Sequence, residues 1–368
     1  MPQVGRMERF VLTLLIRIRG LYMEYPFEKV SEFCLNLLAS VGVPADDAQV
    51  VASVLIDTSL EGIDTHGLSR LPAYLTCLKN GRINKEPQIR VVKSGAVASI
   101  DGDNGLGQLV AVRSMQAAME LAKELGIGLA TAKRSNHFGA ASYFCKMAAR
   151  QGMIGQVFTN APSAMPPWGG MRPYFGTNPV AFGIPQEEYP VVVDLSSSNV
   201  ARGNVLLALK EGRSIPLGWA IDKEGRPTTD PKEALEGAVL PVGGAKGYAL
   251  ALAVEVMAGI LSGSAYGLDV GFIYDDKKEP ANIGHSFIAI DVSRVMPDDT
   301  FTERLSDMIQ GIKAVPLAEG YSEIRIPGEK RHRIMQERRK SGIPVSQTLL
   351  KELNTLAAEL GVSPLSTE

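Results

Sequence analysis

Two histidines in this chain of 368 residues stand where an imidazole could move a proton. The first lies in Asp64, Thr65, His66, Gly67, Leu68, Ser69 and Arg70, just beyond a helical pattern that begins near Pro44. Histidine ionises near neutrality, so it can give or take the proton of an alcohol or carbonyl oxygen, and the planar guanidinium of Arg70 can grip a carboxylate with two parallel hydrogen bonds. If the segment from His66 is helical, Arg70 lies one turn further on the same face, and the pair suits a small substrate with a carboxylate beside a carbonyl or hydroxyl. The competing reading makes the stretch a cap, with Arg70 a surface ion-pair partner of Asp64 or Glu61. The second histidine is His137, in KRSNHFGAASYF over residues 133–144, with Asn136 and Gly139 beside it. Its plain alternative is a core histidine next to a capping Asn136. His285, in a pattern that reads as a hairpin, and His332, in a charged stretch, are expected to be structural or solvated.

The elements around these residues follow from spacing. GIGLATA over 126–132 reads as a buried strand and ASYFCKMAAR as a helix, so His137 sits at a strand-to-helix junction, where the helix's first N–H groups lack internal partners. Apolar residues recur at helical spacing from Val30 to Gly42 and again through Val50, Val51, Val54 and Leu55. IRVVKSGAVASIDGD predicts a hairpin, and Gly102, Gly105 and Gly107 a loop, because their order is not that of a Rossmann fingerprint. A helix follows over 109–125. GMIGQVFTN predicts a strand, and the Pro- and Gly-rich residues 161–185 after it a long ordered loop held by Trp168, Tyr174, Phe175 and Phe182. VVVDL reads as a strand ending near Asp194. Within residues 243–263 a helix begins just after Lys246 and Gly247 and is apolar all round except for Glu255, which predicts burial on every side. Lys246 and Gly247 open that helix and could hold an anion, although a snorkelling lysine reads equally well. Further helices are expected over 304–312 and 346–360.

A formal net charge of -2 and a pI near 6.2 supply no footprint for nucleic acid. The apolar run at residues 10–16 is too short to cross a bilayer, which takes about 20 residues. Residues 1–22 therefore read as an extension before a domain that opens at Met23. Cys34, Cys77 and Cys145 are scattered and odd in number, which argues for a reducing, cytoplasmic setting. Neither a metal motif nor a GxSxG elbow appears, so no metal is expected and a serine hydrolase is disfavoured.

DTHGLSR, DGDNGLGQ, RSNHFGAASYF, PPWGG, YFGTNPVAFGIP, VVVDLSSS, AIDKEGRPTTDP, PVGGAKGYALAL and IPGE occur in this order over residues 24–360. Together they resemble the malate/L-lactate dehydrogenase family that is unrelated to the Rossmann-type enzymes. The resemblance implies an α/β fold without a Rossmann fingerprint, with a mostly antiparallel or mixed sheet in a cofactor domain surrounded by helices. It implies a cofactor domain over 118–303 and a helical, substrate-binding and dimerisation region over 23–117 with 304–368. It also implies a homodimer, NAD or NADP, and a 2-hydroxy or 2-oxo acid such as malate, lactate or sulfolactate. Alternatives are ureidoglycolate, a cyclic imino acid such as Δ1-piperideine-2-carboxylate, and a non-catalytic nucleotide-binding role.

Residue by residue, His66 matches the proton donor of some members, in a relay with Thr65 and Asp194, and His137 the proton acceptor of others. Arg70 matches the substrate-carboxylate arginine. Ala161, Asp194, Leu195, Ser196, Lys246, Gly247, Gly328, Glu329 and Lys330 fall on cofactor-contact positions. Thr65 stands where serine is common and Asn204 where lysine is common.

Overall fold

Helices begin where the chain meets proline and end where glycine lets it turn. Pro26 and Pro44 occupy the N-caps of Phe27–Ser40 and Ala45–Leu60, and Gly42 at φ +89° makes the turn between them. The computed structural model describes residues 22–274 and 279–366, so the apolar run at 10–16 lies outside the described residues. The chain divides into two units, one ending at Thr76 and resuming at Arg331, the other spanning Cys77–Lys330.

In the first unit Val30, Phe33, Cys34, Leu37 and Leu38 line the buried stripe of Phe27–Ser40, which packs on Ala45–Leu60, where Val51, Val54 and Leu55 are buried. Strand Tyr22–Tyr25 pairs antiparallel with Ile343–Ser346, setting Tyr25 opposite Ile343. A Cβ on Gly342 would lie 2.6 Å from the Tyr25 carbonyl oxygen, so only glycine admits this approach at φ +104°. Ser346 then caps Gln347–Glu359, its Oγ accepting from the Leu349 N–H at 3.2 Å.

The second unit is built on a seven-stranded sheet. In spatial order its strands are Arg90–Ser94, Val97–Asp101, Ile127–Ser135, Ile283–Asp291, Met153–Thr159, Val180–Ile184 and Val191–Leu195. Only Val97–Asp101 and Ile127–Ser135 run parallel, which makes the sheet mixed and mostly antiparallel, as expected. Helices Gly107–Leu125 and Ala141–Ala149 cover one face. Their closeness rests on strand glycines: a Cβ on Gly128 would lie 2.1 Å from Ala118 O, and one on Gly183 2.4 Å from Cys145 O. The other face carries Ala245–Glu255 and the π-helical turn Val256–Ile260, where Ser286 Oγ donates to Met257 O. Strand Ile283–Asp291 shows the alternation directly. Phe287 meets the ring of Phe144 on the first face, whereas Gly284 abuts Ala258 on the second. Strands Ala220–Ile221, Pro227–Thr228 and Ala238–Val239 form a smaller sheet over a cluster that includes Val205, Ala208 and Ile215.

Three expectations are corrected. The predicted hairpin around His285 is the central strand of the large sheet, with Ile288 paired to Leu129 on one side and Gln156 on the other. The segment expected to be loop throughout contains Val180–Ile184, a strand that fits between Pro179 and Pro185 because proline is tolerated at strand ends. The helix expected to be buried on every side exposes one stripe, with Leu252, Val256 and Ile260 at 44%, 46% and 50% exposure. An all-apolar sequence does not tell which of its faces the neighbours cover.

Candidate functional site

The DTHGLSR stretch is not helical at His66. Residues 64–67 form a turn and a short 3₁₀ helix, Leu68–Arg70, follows, so the expected i, i+4 relation of His66 and Arg70 on one helix face does not hold. The turn closes with the His66 N–H donating to Ile63 O at 2.9 Å and the Arg70 N–H to Gly67 O at 3.0 Å. It is tied down by Ser59, whose Oγ accepts from the Leu68 N–H at 2.9 Å, and a Cβ on Gly67 would lie only 2.1 Å from that Oγ. Asp64, suggested as a partner of Arg70, is held by Arg338 in two bonds of 2.5 and 3.0 Å. Thr65 Oγ1 lies 2.9 Å from His66 Nδ1, and Arg70 Nε donates to Thr65 O at 2.5 Å. Thr65 thus touches both expected site residues. The turn achieves by backbone folding the proximity that a helix face would have supplied.

In the second unit, strand Ile127–Ser135 ends directly before Asn136 and His137, and Ala141–Ala149 begins four residues after His137. Asn136 does not cap that helix. Its Nδ2 donates to Gly105 O at 2.8 Å and Asn104 O at 3.2 Å, fastening the loop to the start of Gly107–Leu125. The helix N-terminus is met instead by Asp194, whose Oδ2 accepts from the Ser142 N–H at 3.2 Å. A carboxylate at the first turn is favoured by the unpaired N–H groups and the helix dipole. His137, partly buried, and Asp194 therefore lie at one helix end.

The expected cofactor residues of this unit converge through backbone contacts. Leu195 and Ser196 lead into Ser197, whose N–H and Oγ both donate to Thr177 O at 2.9 Å. Ser197 O accepts from the Val242 N–H at 2.9 Å and would lie 2.8 Å from a Cβ on Gly247. Ala161 joins through its N–H, which donates to Asn178 Oδ1 at 3.2 Å. Helix Ala245–Glu255 has no side-chain cap, Lys246 is exposed beside its first turn, and nothing lies within 4 Å of a Cβ position on Gly243. This leaves room for an anion over N–H donors and an ammonium. The ring of exposed Trp168 rests against Gly244, so the long loop folds over the same helix start. Gly328, at φ +101°, packs on Pro190 and Val192, two residues before Asp194. Glu329 pairs with Lys313 at 2.5 Å and accepts from the Ile326 N–H at 3.1 Å, while Lys330 is exposed.

Two buried groups were not singled out for the site by their residue types. His285 is fully buried, its Nδ1 2.8 Å from Thr159 Oγ1 and its Nε2 2.8 Å from Ser135 Oγ, and its ring stacks on Phe138 at 4.7 Å. It links the ends of the two strands that feed the His137 and Ala161 loops. Burial drives its pKa down to about 3, so the ring is neutral. Glu255 accepts from Asn178 Nδ2 at 2.6 Å, Asn160 Nδ2 at 3.2 Å and the Gly267 N–H at 2.9 Å. Its place as the one charge in the apolar helix body after Lys246 was the available signal.

Comparison with known proteins shows the family and the fold. The family model described as Malate/L-lactate dehydrogenase matches residues 25–354. The malate dehydrogenase of Pyrococcus horikoshii is 38% identical, covering 94% of this chain and 97% of that protein, and its solved structure superposes with a TM-score of 0.86. The L-sulfolactate dehydrogenase of Methanocaldococcus jannaschii is 40% identical over 91% of this chain and 97% of its own, and its structure gives a TM-score of 0.88. The NADP(+)-dependent (2R)-3-sulfolactate dehydrogenase of Chromohalobacter salexigens is 41% identical, covering 87% and 94%. With its mixed sheet, its turn at His66 and its convergent helix starts, the chain belongs to the malate/L-lactate dehydrogenase family.

Proposed function

We propose that this protein is an NAD(P)-dependent dehydrogenase that interconverts a small 2-hydroxy acid and its 2-oxo acid, of the malate, lactate or sulfolactate kind. The observation that carries the reading is the Thr65–His66–Arg70 turn, in which one residue's hydroxyl orients the imidazole while its carbonyl holds the guanidinium stem. When bound, the nicotinamide supplies or accepts the hydride at C2 of the substrate. His66 gives a proton to the oxygen of the 2-oxo acid, or removes it from the 2-hydroxy acid, through Nε2, and Thr65 holds Nδ1 so that the ring presents that nitrogen. Arg70 receives the substrate carboxylate. Asp194 belongs to the proton relay that the family resemblance implies, and His137 is the competing proton acceptor. Ala161, Asp194 to Ser196, Lys246, Gly247 and Gly328 to Lys330 hold the nucleotide; the uncapped helix start with Lys246 suits its phosphates.

The protein acts as a homodimer in the cytoplasm on this reading. The exposed stripe of Leu252, Val256 and Ile260 is apolar surface that a second copy would cover, and Cys34, Cys77 and Cys145 are not joined in disulfides. Among the described residues no helix is long and apolar enough to cross a membrane. Steady-state assays of a panel of 2-oxo acids with NADH and with NADPH test the function. Turnover of an oxo acid, lost in His66→Ala, is the expected result. Nucleotide binding without turnover would replace it with the non-catalytic reading, and turnover confined to cyclic imino acids with a reductase.

A further inference from the structure

We propose that Glu255 is a positioning residue for the cofactor, a buried clasp that holds both ends of the loop at 160–179 against the helix that opens with Lys246 and Gly247. The inference rests on the cofactor reading of Ala161, Lys246 and Gly247. Glu255 is 4% exposed and ends Ala245–Glu255, the helix whose first turn carries the two cofactor residues. Its Oε2 accepts from Asn178 Nδ2 at 2.6 Å, near the end of the loop. Its Oε1 accepts from Asn160 Nδ2 at 3.2 Å, where the loop begins, and from the Gly267 N–H at 2.9 Å. The link reaches the ligand-facing backbone in one further step, because Asn178 Oδ1 accepts from the Ala161 N–H at 3.2 Å.

The surroundings are shaped for this. Asn178 is fully buried at φ +32°, a conformation that asparagine tolerates better than most residues, and its Nδ2 also donates to Ala251 O at 3.0 Å. A Cβ on Gly176 would lie 2.6 Å from Asn178 Oδ1, so the chain passes tightly over the clasp. Directly after Glu255 the helix widens into the π turn Val256–Ile260, and a Cβ on Gly259 would come within 2.9 Å of Asn160 Nδ2. A carboxylate offers acceptors on both oxygens, which is what N–H donors on both sides require. An amide offers one acceptor and turns its own N–H groups toward donors on the other.

The test is fluorescence titration of NADH and NADPH on the full-length protein, with kcat and the cofactor KM measured in parallel. Hydrogen bonds to a charged group contribute about 1.5–3 kcal/mol, so Glu255→Gln should raise the nucleotide Kd by roughly 10–150-fold. The cofactor KM should rise with it, and kcat at saturating cofactor should change far less. Asn178→Gly leaves the carboxylate its bonds from Asn160 and Gly267 and removes the link to Ala161. It should weaken binding in the same range, and it carries the test if the glutamine variant does not fold. Because the two residues act through one clasp, the double variant should bind no worse than the weaker single variant. A normal Kd in either folded variant, with only the melting temperature lowered, would reduce Glu255 to a structural role and overturn the proposal. Effects that multiply in the double variant would also overturn it. Wild-type protein that binds neither nucleotide would instead bring down the cofactor reading, and the clasp with it.

Discussion

Gly67→Ala places a methyl group against Ser59 in the turn proposed to carry His66 and Arg70. The new Cβ would lie 2.1 Å from Ser59 Oγ, whereas ordinary contact begins near 3.4 Å, so more than an ångström of displacement is demanded. Rotating Ser59 away would give up its bond to the Leu68 N–H, and the Cβ would still stand 3.0 Å from Ser59 N and 3.1 Å from Leu55 O. Overpacking of this kind costs about 1–3 kcal/mol of stability. The catalytic consequence is larger, because misplacing reacting groups by about 1 Å can cost roughly 10²-fold. His66 and Arg70 flank Gly67 and are bonded to the same Thr65, so both move with it. kcat/KM should therefore fall about 100-fold while NADH affinity stays near wild type, read by steady-state kinetics and fluorescence titration side by side. Ser59→Ala in the same chain removes the worst overlap and should restore part of the loss. A folded Gly67→Ala variant with wild-type kcat/KM would refute the claim that this turn sets the geometry of His66 and Arg70.

His66→Ala should lower turnover by about 10²–10⁴-fold with nucleotide binding intact, the usual contribution of a positioned acid or base; if His137→Ala abolishes turnover and His66→Ala does not, the two roles are exchanged. Arg70→Lys keeps the charge but loses the planar fork and the Nε bond to Thr65 O, so kcat/KM for the oxo acid should drop roughly 10–150-fold, and a near-normal value would remove Arg70 from substrate binding. His285 is held neutral, with a pKa of about 3 against an ordinary 6.5, because burial disfavours the imidazolium. The unfolded chain binds that proton below about pH 6.5 and the folded chain does not, so this contribution is complete above 6.5 and is lost as pH falls toward 3. The slope approaches about 1.4 kcal/mol per pH unit in that window. Urea unfolding of wild type and His285→Gln across pH 4–8 should show their stability difference changing below about 6.5; a difference constant with pH would show that His285 is not held neutral.

Local pattern carried much of this protein's organisation. Apolar spacing predicted helices over 30–42, from Pro44 through Leu55 and over 109–125, which the structure forms as Phe27–Ser40, Ala45–Leu60 and Gly107–Leu125, and it predicted the hairpin of Arg90–Ser94 with Val97–Asp101 and the strand-to-helix junction at His137. These features depend on residues a few positions apart, and neighbouring side chains settle them whatever the remainder of the chain does. The ordered motifs from DTHGLSR to IPGE likewise pointed to the family. What periodicity could not supply was partnership. The alternation in Ile283–Asp291 says which side chains share a face but not which strands lie beside it, so a central strand read as half of a local hairpin. The helix body after Gly247 is apolar on every side but for Glu255, and only the packed neighbours decide that Leu252, Val256 and Ile260 stay exposed. The turn at His66 depends on Ser59 and Arg338, the second 274 positions from the Asp64 it bonds, because a folded chain satisfies its polar groups wherever in the sequence a partner lies. For the same reason the sequence named Glu255 and His285 without giving either its partners. Asn160, Asn178, Ser135 and Thr159 lie 77 to 150 positions from the groups they bond, and only the tertiary structure brings a buried carboxylate to the first two and a neutral imidazole to the others.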